Sequence, residues 1–550
     1  MGNQNSSPQV DKWPQYFDLD RSADMKEPVK AEVSGSFPKW LSGSLYRNGS
    51  GLYQIGESRF NHLFEGFSVI HRWSIKDGEV TLRTSILDSD SYKKSVKYER
   101  LVGQHFASTF PDPCKSTFDK FFSYFKKEAD DNTAVNIVEH GDRLFALTES
   151  TAIHEVDGET MHSIGKVDLR KSIAVHIGTA HPHMDRDGTM YYYATNVQDP
   201  KKTYNIVKVP PAGKGEAPFS KADIVASIPR RWKWSVGYTH SFGMSDNYFV
   251  HLEHPVVMNI PKLMTMRFWG GAEQCFINYP EETVGITSRV DKTTHMSKLD
   301  ILFFQIQIHV VDRRTGQRLP INFYTPHGFV FHFVNCYEES GFLICDVCMN
   351  KSGGLVHELY LENIVRLMKS NADYLCFYAR FVLPLNIDKA KEGENLVTLP
   401  GSKATAVPRP GSGNCVDVTN DAIFGGSAFF ELPRINYDFN GRKNRYAYGT
   451  SLINPTNQRV MKFDLQERKM TEWKCEDKHY PGEPVFVKDP AGTSEDDGVV
   501  LCPVLAATTE QSSYLVVLDA ASFKELGRAT VPSDVKINVT FHGDFCKRFS

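Results

Sequence analysis

The chain has no apolar run of the roughly 18 residues that a helix needs to span a bilayer, so any contact it makes with a membrane is expected to be peripheral. It also has no excess of charge. Lys and Arg number 63 against 66 Asp and Glu, a formal net charge of −3, which provides no field to hold a polyanion. Nucleic acid is therefore not an expected partner. Cysteine is sparse: ten residues scattered over 550 cannot form a disulfide framework, and reduced thiols are expected. The single C-x-x-C, Cys345 and Cys348 in GFLICDVCMN, lies in an apolar run with no second pair, so both read as core thiols. The chain has neither an H-E-x-x-H helix nor Cys/His finger spacing, which removes the local zinc motifs. The N-terminal MGNQNSSPQVDKWPQ has neither the apolar core of a secretory signal nor the Arg-rich character of a mitochondrial presequence, and a cytoplasmic location is expected.

What the chain does have is a recurring unit in which a Gly or Asp/Asn turn leads straight into a β-rich run. DGEVTL after Lys76, GDRLFALTES, DGTMYYYATN, DNYFVHLE, SGFLICDVC and DDGVVLCPVL are examples. Helical patterns are scarce, and no Pro-, Gly- or Ser-rich linker divides the chain. With 41% hydrophobic and 23% charged residues it can bury a large core. Hairpins over the whole length point to an all-β fold closed radially as a propeller, a single domain over 37–550 behind an N-terminal extension of 1–36. The spacing between units is irregular, so periodicity leaves a pair of β-sandwiches as an alternative. Monomer and dimer both stay open.

Three histidines recur at nearly the same place in successive hairpins. His181 precedes the turn residue Asp187 by six positions, His240 precedes Asp246 by six, and His332 precedes Ser340 by eight. They are expected late on a strand just ahead of its turn. In a radial array such positions converge on the axis, which would build a metal site from residues far apart in sequence. His542, in NVTFHGDF, lies where a last strand could close the ring beside the first. Imidazole suits iron, zinc, copper and nickel, so spacing does not choose the metal. Ligating histidines usually donate their second N–H to a carboxylate. Glu149 in LFALTES, Glu431 in AFFELPRINY and Glu483 in YPGEPVFV are the candidates, each a glutamate in an apolar β context.

From about Phe37 to the C-terminus the chain resembles the carotenoid cleavage oxygenase family, animal β-carotene oxygenases and retinoid isomerohydrolase included. The segments GSLYRNGSGLYQIG, HLFEGFSVIHRW, FPDPCKSTFDKFFSYF, TAHPHMD, YTHSFGM, FHFVNCYEE, FELPRINYDFNGR, YPGEPVFV, EDDGVVL and VTFHGDF carry the likeness in the family's order. The resemblance implies a seven-bladed β-propeller with a helical cap over one Fe(2+) per subunit. His181, His240, His332 and His542 match the family's ligands, and Glu149, Glu431 and Glu483 match its outer carboxylates. The implied activity is cleavage by O2 of one conjugated C=C bond of a carotenoid or apocarotenoid, giving aldehydes such as retinal. The implied alternatives are isomerohydrolysis of retinyl esters and carotenoid binding without turnover. No catalytic residue beyond the metal centre is implied. Two positions depart from the family pattern. Glu65 in HLFEGFS stands where the family commonly has Asp, so that loop is expected to be reshaped. Phe333 follows His332 where several animal members have a second histidine, which favours His332 as the ligand.

A substrate stored in lipid predicts membrane contact. Phe118, Phe121, Phe122 and Phe125 follow i, i+3, i+4, i+7 with lysines on or beside the opposite face, the pattern of an interfacial helix near 114–128. A second membrane-facing segment is expected near 258–270, flanking the mouth of a substrate tunnel. MGNQNS fits the N-myristoylation pattern at Gly2. By resemblance, Cys114 matches a cysteine discussed as a palmitoylation site.

Overall fold

A computed structural model describes residues 20–110, 130–199, 201–213, 215–265, 271, 273–278, 305–326, 328–364, 376–425, 429–451 and 458–548. The fold is all-β, as the hairpin pattern predicts. Among the described residues eight sheets have three or more strands, and two further pairs are two-stranded. Neighbouring strands run antiparallel except Asn322–Thr325 against Cys415–Thr419. Two-residue turns set the registers. Asp77 and Gly78, with φ of 51° and 79°, join Phe67–Lys76 to Glu79–Ile86, and Ser340 and Gly341, at 51° and 84°, join Phe329–Glu339 to Phe342–Asn350. Two successive positive φ values are what a type I′ hairpin demands, and glycine at the second position adopts one without steric cost.

Among the described residues no sheet closes on itself. The sheets instead share apolar clusters with one another. Tyr46 and Ile70 belong to one cluster with Ile137 and Leu144, Phe145 to one with Tyr192, Val250 to one with Leu343, Tyr448 to one with Val516, and Leu501 to one with Trp73, each cluster joining strands of different sheets. The chain ends interlock. Gly43–Leu52 lies between Phe67–Lys76 and the last strand, His542–Cys546, with Asn48 opposite His542. Residues before Phe37 take part as well: Val29 pairs with Leu82, and Val33 with Ala529. Two described strands, Val29–Lys30 and Glu32–Gly35, thus lie within the stretch read from the sequence as an N-terminal extension. Described helices are short, Asp90–Lys97, Ile260–Met264 and Leu355–Glu358. Cys345 and Cys348 are both buried within one strand, as core thiols.

Burial has a consequence for acid stability. His62, His71 and His254 are fully enclosed, and desolvation lowers each from 6.5 to about 4. Between those values the unfolded chain binds protons that the folded chain refuses, so stability falls as pH drops from about 6.5 towards 4. Urea unfolding is expected to show a lower midpoint at pH 5 than at pH 7 with an unchanged slope.

Candidate metal centre

The four histidines picked out by the sequence converge. His181 Nε2 lies 2.8 Å from His240 Nε2, which is 3.2 Å from His332 Nε2, itself 3.2 Å from His542 Nε2. One ring nitrogen from each lies within 4.8 Å of all the others. Their backbone settings differ from the late-strand placement expected. His181 and His240 sit in irregular backbone ahead of the short strands His183–Met184 and Gly243–Met244, and His332 lies at a bulge between Val330 and Phe333. His542 opens the final strand. Loops and bulges turn a side chain off the regular pleat, and that is how residues from four sheets reach one point. A local clasp joins two of them: the His181 N–H donates to Thr179 Oγ1 at 3.0 Å, and that hydroxyl donates to the His240 carbonyl.

Three of the rings are held from behind by the three predicted glutamates. His240 Nδ1–H donates to Glu149, His332 Nδ1–H to Glu431 at 2.6 Å, and His542 Nδ1–H to Glu483 at 2.9 Å. His181 makes no such bond among the described residues. Burial, followed by the neighbouring imidazoles, pushes His181 and His542 well below the usual imidazole range, and burial also lowers His240. Those three rings are therefore neutral at physiological pH. With each Nδ1–H turned to its glutamate, the Nε2 atoms of His240, His332 and His542 are aimed at one another at hydrogen-bond distance, and in the neutral His240 and His542 rings that atom carries a lone pair and no proton. A cation placed among them resolves that conflict, and an all-imidazole donor set suits a divalent transition metal. These residues fit such an ion.

Two groups that the sequence reading did not single out complete the support. Arg47, fully buried in Gly43–Leu52, forms an ion pair with Glu483 and donates to the Phe541 carbonyl at 2.8 Å. The Tyr238 phenol donates to both oxygens of Glu149, at 2.8 and 2.9 Å, and burial raises its pKa well above the usual range. Each left a signal: an arginine inside an otherwise small or apolar strand, and a tyrosine two residues before a ligand, on the same face of an extended chain. Leu432, directly after Glu431, has φ of 52°, and the Glu431–Arg434 ladder slips there. The Leu432 N–H donates back to Glu431 Oε2 at 2.9 Å, so the strained turn helps to aim the carboxylate at His332.

Glu65 does not disrupt its loop. Its carboxylate accepts from the N–H groups of Asn61 and His62 at 3.2 Å, from Ala107 N–H at 2.9 Å and from the Ser108 hydroxyl at 3.0 Å. It pins two loops together beside the centre, and the reshaping expected from the longer side chain is not needed to satisfy it. His183 makes a 2.8 Å contact to the Phe242 carbonyl and does not join the cluster.

A cavity of about 420 Å³ opens at the centre, with His240, His332, His542, Glu149 and Glu431 in its wall. The rest of the wall is mostly apolar, including Phe64, Phe106, Phe331, Phe541, Leu263 and Leu359. The Phe331 ring stands edge-on to His240 at 5.0 Å between centroids. From the segment near 258–270, Met258 and Leu263 reach this wall and Met264 is half exposed, while 266–270 lie outside the described residues. Gly2, Cys114, Phe118, Phe121, Phe122 and Phe125 also lie outside them. Substitution of Glu431 by Gln keeps the shape of the side chain and removes its charge; metal affinity measured by competition with a chelator is expected to fall about 10- to 100-fold.

Four histidines able to hold a metal thus meet beside a mostly apolar cavity, with His240, His332 and His542 in its wall. The profile described as "Retinal pigment epithelial membrane protein" matches residues 20–547, and the chain belongs to that family, the family of the carotenoid oxygenases. It is 36% identical over 534 residues to the Mus musculus "Beta,beta-carotene 15,15'-dioxygenase", covering 94% of this chain and 89% of the relative. It is also 36% identical over 533 residues to the Mustela putorius furo "Carotenoid-cleaving dioxygenase, mitochondrial", covering 94% and 93%. It shares its fold with the cobalt-substituted Synechocystis apocarotenoid oxygenase, with a TM-score of 0.71 and 22% identity over 97% of this chain and 98% of that one.

Proposed function

We propose that the chain is an iron(II)-dependent dioxygenase that cleaves one conjugated C=C bond of a carotenoid or apocarotenoid with O2, giving aldehydes such as retinal. The observation that carries this reading is the meeting of four imidazole nitrogens, three of them from residues in the wall of a mostly apolar cavity. The relatives named as carotene dioxygenases support it. Iron(II), one per chain, would be held by His181, His240, His332 and His542 and would supply a redox-active centre for dioxygen. The protein's own work is positional. Glu149, Glu431 and Glu483 fix the tautomer and tilt of three rings. The phenylalanines hold an unsaturated chain beside the centre and keep water out. No side chain is asked to move a proton. We further read the sheets as seven propeller blades with a helical cap, supported by the clusters that link sheet to sheet and by the pairing of the first long strand with the last.

The second reading, a retinoid isomerohydrolase acting on retinyl esters, rests on the resemblance to a family whose profile is described as a retinal pigment epithelial membrane protein. Incubating iron(II)-loaded protein with β-carotene and, separately, with all-trans retinyl ester, then separating the products, tests both. Retinal or longer apocarotenals that appear only under oxygen support the dioxygenase; a cis-retinol formed from the ester supports the isomerohydrolase. No product from either substrate would leave carotenoid binding without turnover. Glu65, the departure from the family pattern that raises this third reading, has its carboxylate satisfied by four donors.

The enzyme would work as a cytoplasmic protein attached peripherally to a membrane. A single myristoyl chain on Gly2 binds only with a constant on the order of 10⁴ M⁻¹, so a second contact is required. The phenylalanine stripe at 118–125 would supply it, with its lysines attracting anionic lipid. Phe121→Glu with Phe122→Glu is expected to abolish flotation with anionic liposomes, whereas Gly2→Ala weakens it modestly. A double variant that floats like the parent would place the contact elsewhere.

A further inference from the structure

Two of the ligand-bearing segments are joined behind the metal centre by a histidine that is not one of the ligands. His254 directly follows the strand Tyr248–Glu253 and is buried. Its Nδ1 lies 3.3 Å from the Tyr238 carbonyl oxygen, and its Nε2 lies 3.3 Å from the Val330 backbone nitrogen. Burial lowers its pKa to about 4, so the ring is neutral at neutral pH. A carbonyl only accepts and a backbone N–H only donates, which leaves one arrangement: Nδ1–H donates to Tyr238, and the bare Nε2 accepts from Val330. Tyr238 stands two residues before His240, and Val330 two before His332. Val330 pairs with Met349 immediately ahead of the bulge at which His332 lies. The same strand end grips the Tyr238 segment a second time: the Gly237 N–H donates to the Tyr204 hydroxyl at 2.9 Å, and that hydroxyl donates to Glu253 Oε1 at 2.8 Å. On the far side of the two ligands Ser241 makes a matching stitch, its hydroxyl donating to the Phe331 carbonyl at 2.6 Å and accepting from the Phe333 N–H at 3.2 Å.

We infer that His254 is a positioning residue of the metal centre: its two hydrogen bonds clamp the Tyr238–His240 and Val330–His332 segments together and so set the spacing of the two ligand rings, whose Nε2 atoms stand 3.2 Å apart. Both ligands sit where the regular ladder is interrupted, His240 in irregular backbone and His332 at a bulge, so side-chain bonds must do what ladder bonds do elsewhere. An apolar side chain at 254 deprives a buried carbonyl and a buried N–H of this partner, and groups so stranded are costly enough to shift the backbone that carries them. Each bond is long and the Ser241 stitch remains, so the effect on the centre is graded. This inference rests on the reading of the four histidines as metal ligands.

The test compares His254→Leu, His254→Gln and His140→Leu. Leucine fills the space alone, whereas glutamine offers both a donor and an acceptor in place of the two ring nitrogens. His140 is another buried histidine, packed by Phe145 and Phe219 and outside the cavity wall. Each protein is titrated with cobalt(II), and both the dissociation constant and the visible absorption of the bound ion are recorded. His254→Leu is expected to weaken binding about 3- to 10-fold, below the loss for Glu431→Gln, and to shift the absorption bands. His254→Gln is expected to return both to near the parent values, and His140→Leu to leave both unchanged. Should the Leu protein fail to fold, His254→Asn, which keeps a donor for Tyr238 and is too short to accept from Val330, is read in its place against the same expectations. Parent-like affinity and spectrum in the Leu protein would overturn the inference. So would a Gln variant no better than Leu, or equal changes in His140→Leu, since either result would mean packing and not the two hydrogen bonds. Absence of cobalt binding in the parent protein would instead overturn the metal reading itself.

Discussion

Replacing His332 with alanine is expected to abolish both metal binding and turnover. The ring stands between His240 and His542, 3.2 Å from each, so its removal opens the middle of the cluster. It also leaves Glu431 without the partner that holds its charge: burial works to raise that carboxyl group, while His332, together with the Leu432 N–H, keeps it low. The loss should exceed the about 10- to 100-fold that outer carboxylates command in metal sites. Alanine at His181, His240 or His542 should do the same, while His183→Ala, outside the cluster, should retain metal and activity. Iron content and product formation measured together decide the matter, and full activity in His332→Ala would refute the assignment.

The second large effect is expected at Arg47. Its guanidinium is fully buried, pairs with Glu483 and caps the Phe541 carbonyl ahead of His542. Arg47→Ala strips a buried carboxylate of its main counter-charge, and breaking such a pair costs about 3–5 kcal/mol. That is a large part of the roughly 5–15 kcal/mol that stabilises a typical fold. Arg434, 3.8 Å from the same oxygen, offsets some of it. Urea unfolding of metal-free protein at neutral pH should show the loss. Arg47→Met combined with Glu483→Gln removes both charges and should be milder than Arg47→Ala alone. Equal stability of parent and Arg47→Ala would mean that Arg434 and solvent suffice.

Much of this was legible in the sequence because hairpin chemistry is local. Asp77-Gly78 and Ser340-Gly341 announce their turns, and alternating apolar runs on either side announce strands. The histidines were legible for a different reason: three of them precede hairpin turns by similar spacings, which led to the expectation that they meet, and the four do come together. The backbone under them was not legible. Bulges and irregular stretches at His181, His240 and His332 depend on contacts between sheets, which no single window of sequence contains. The supporting residues divide along the same line. The glutamates stood out as charges in apolar runs, whereas Arg47 pairs with a residue 436 positions away. Glu65 shows the limit of pattern comparison, since one extra methylene suggested a disturbed loop and the carboxylate found four donors instead.

The most direct test of the central proposal is to run the iron(II)-loaded protein on β-carotene under dioxygen made of heavy oxygen, trap the aldehydes at once by reduction to alcohols, and weigh the products. A dioxygenase places one heavy oxygen in each of the two fragments, and His332→Ala should form neither. Fragments without the label, or turnover that continues without oxygen, would contradict the account.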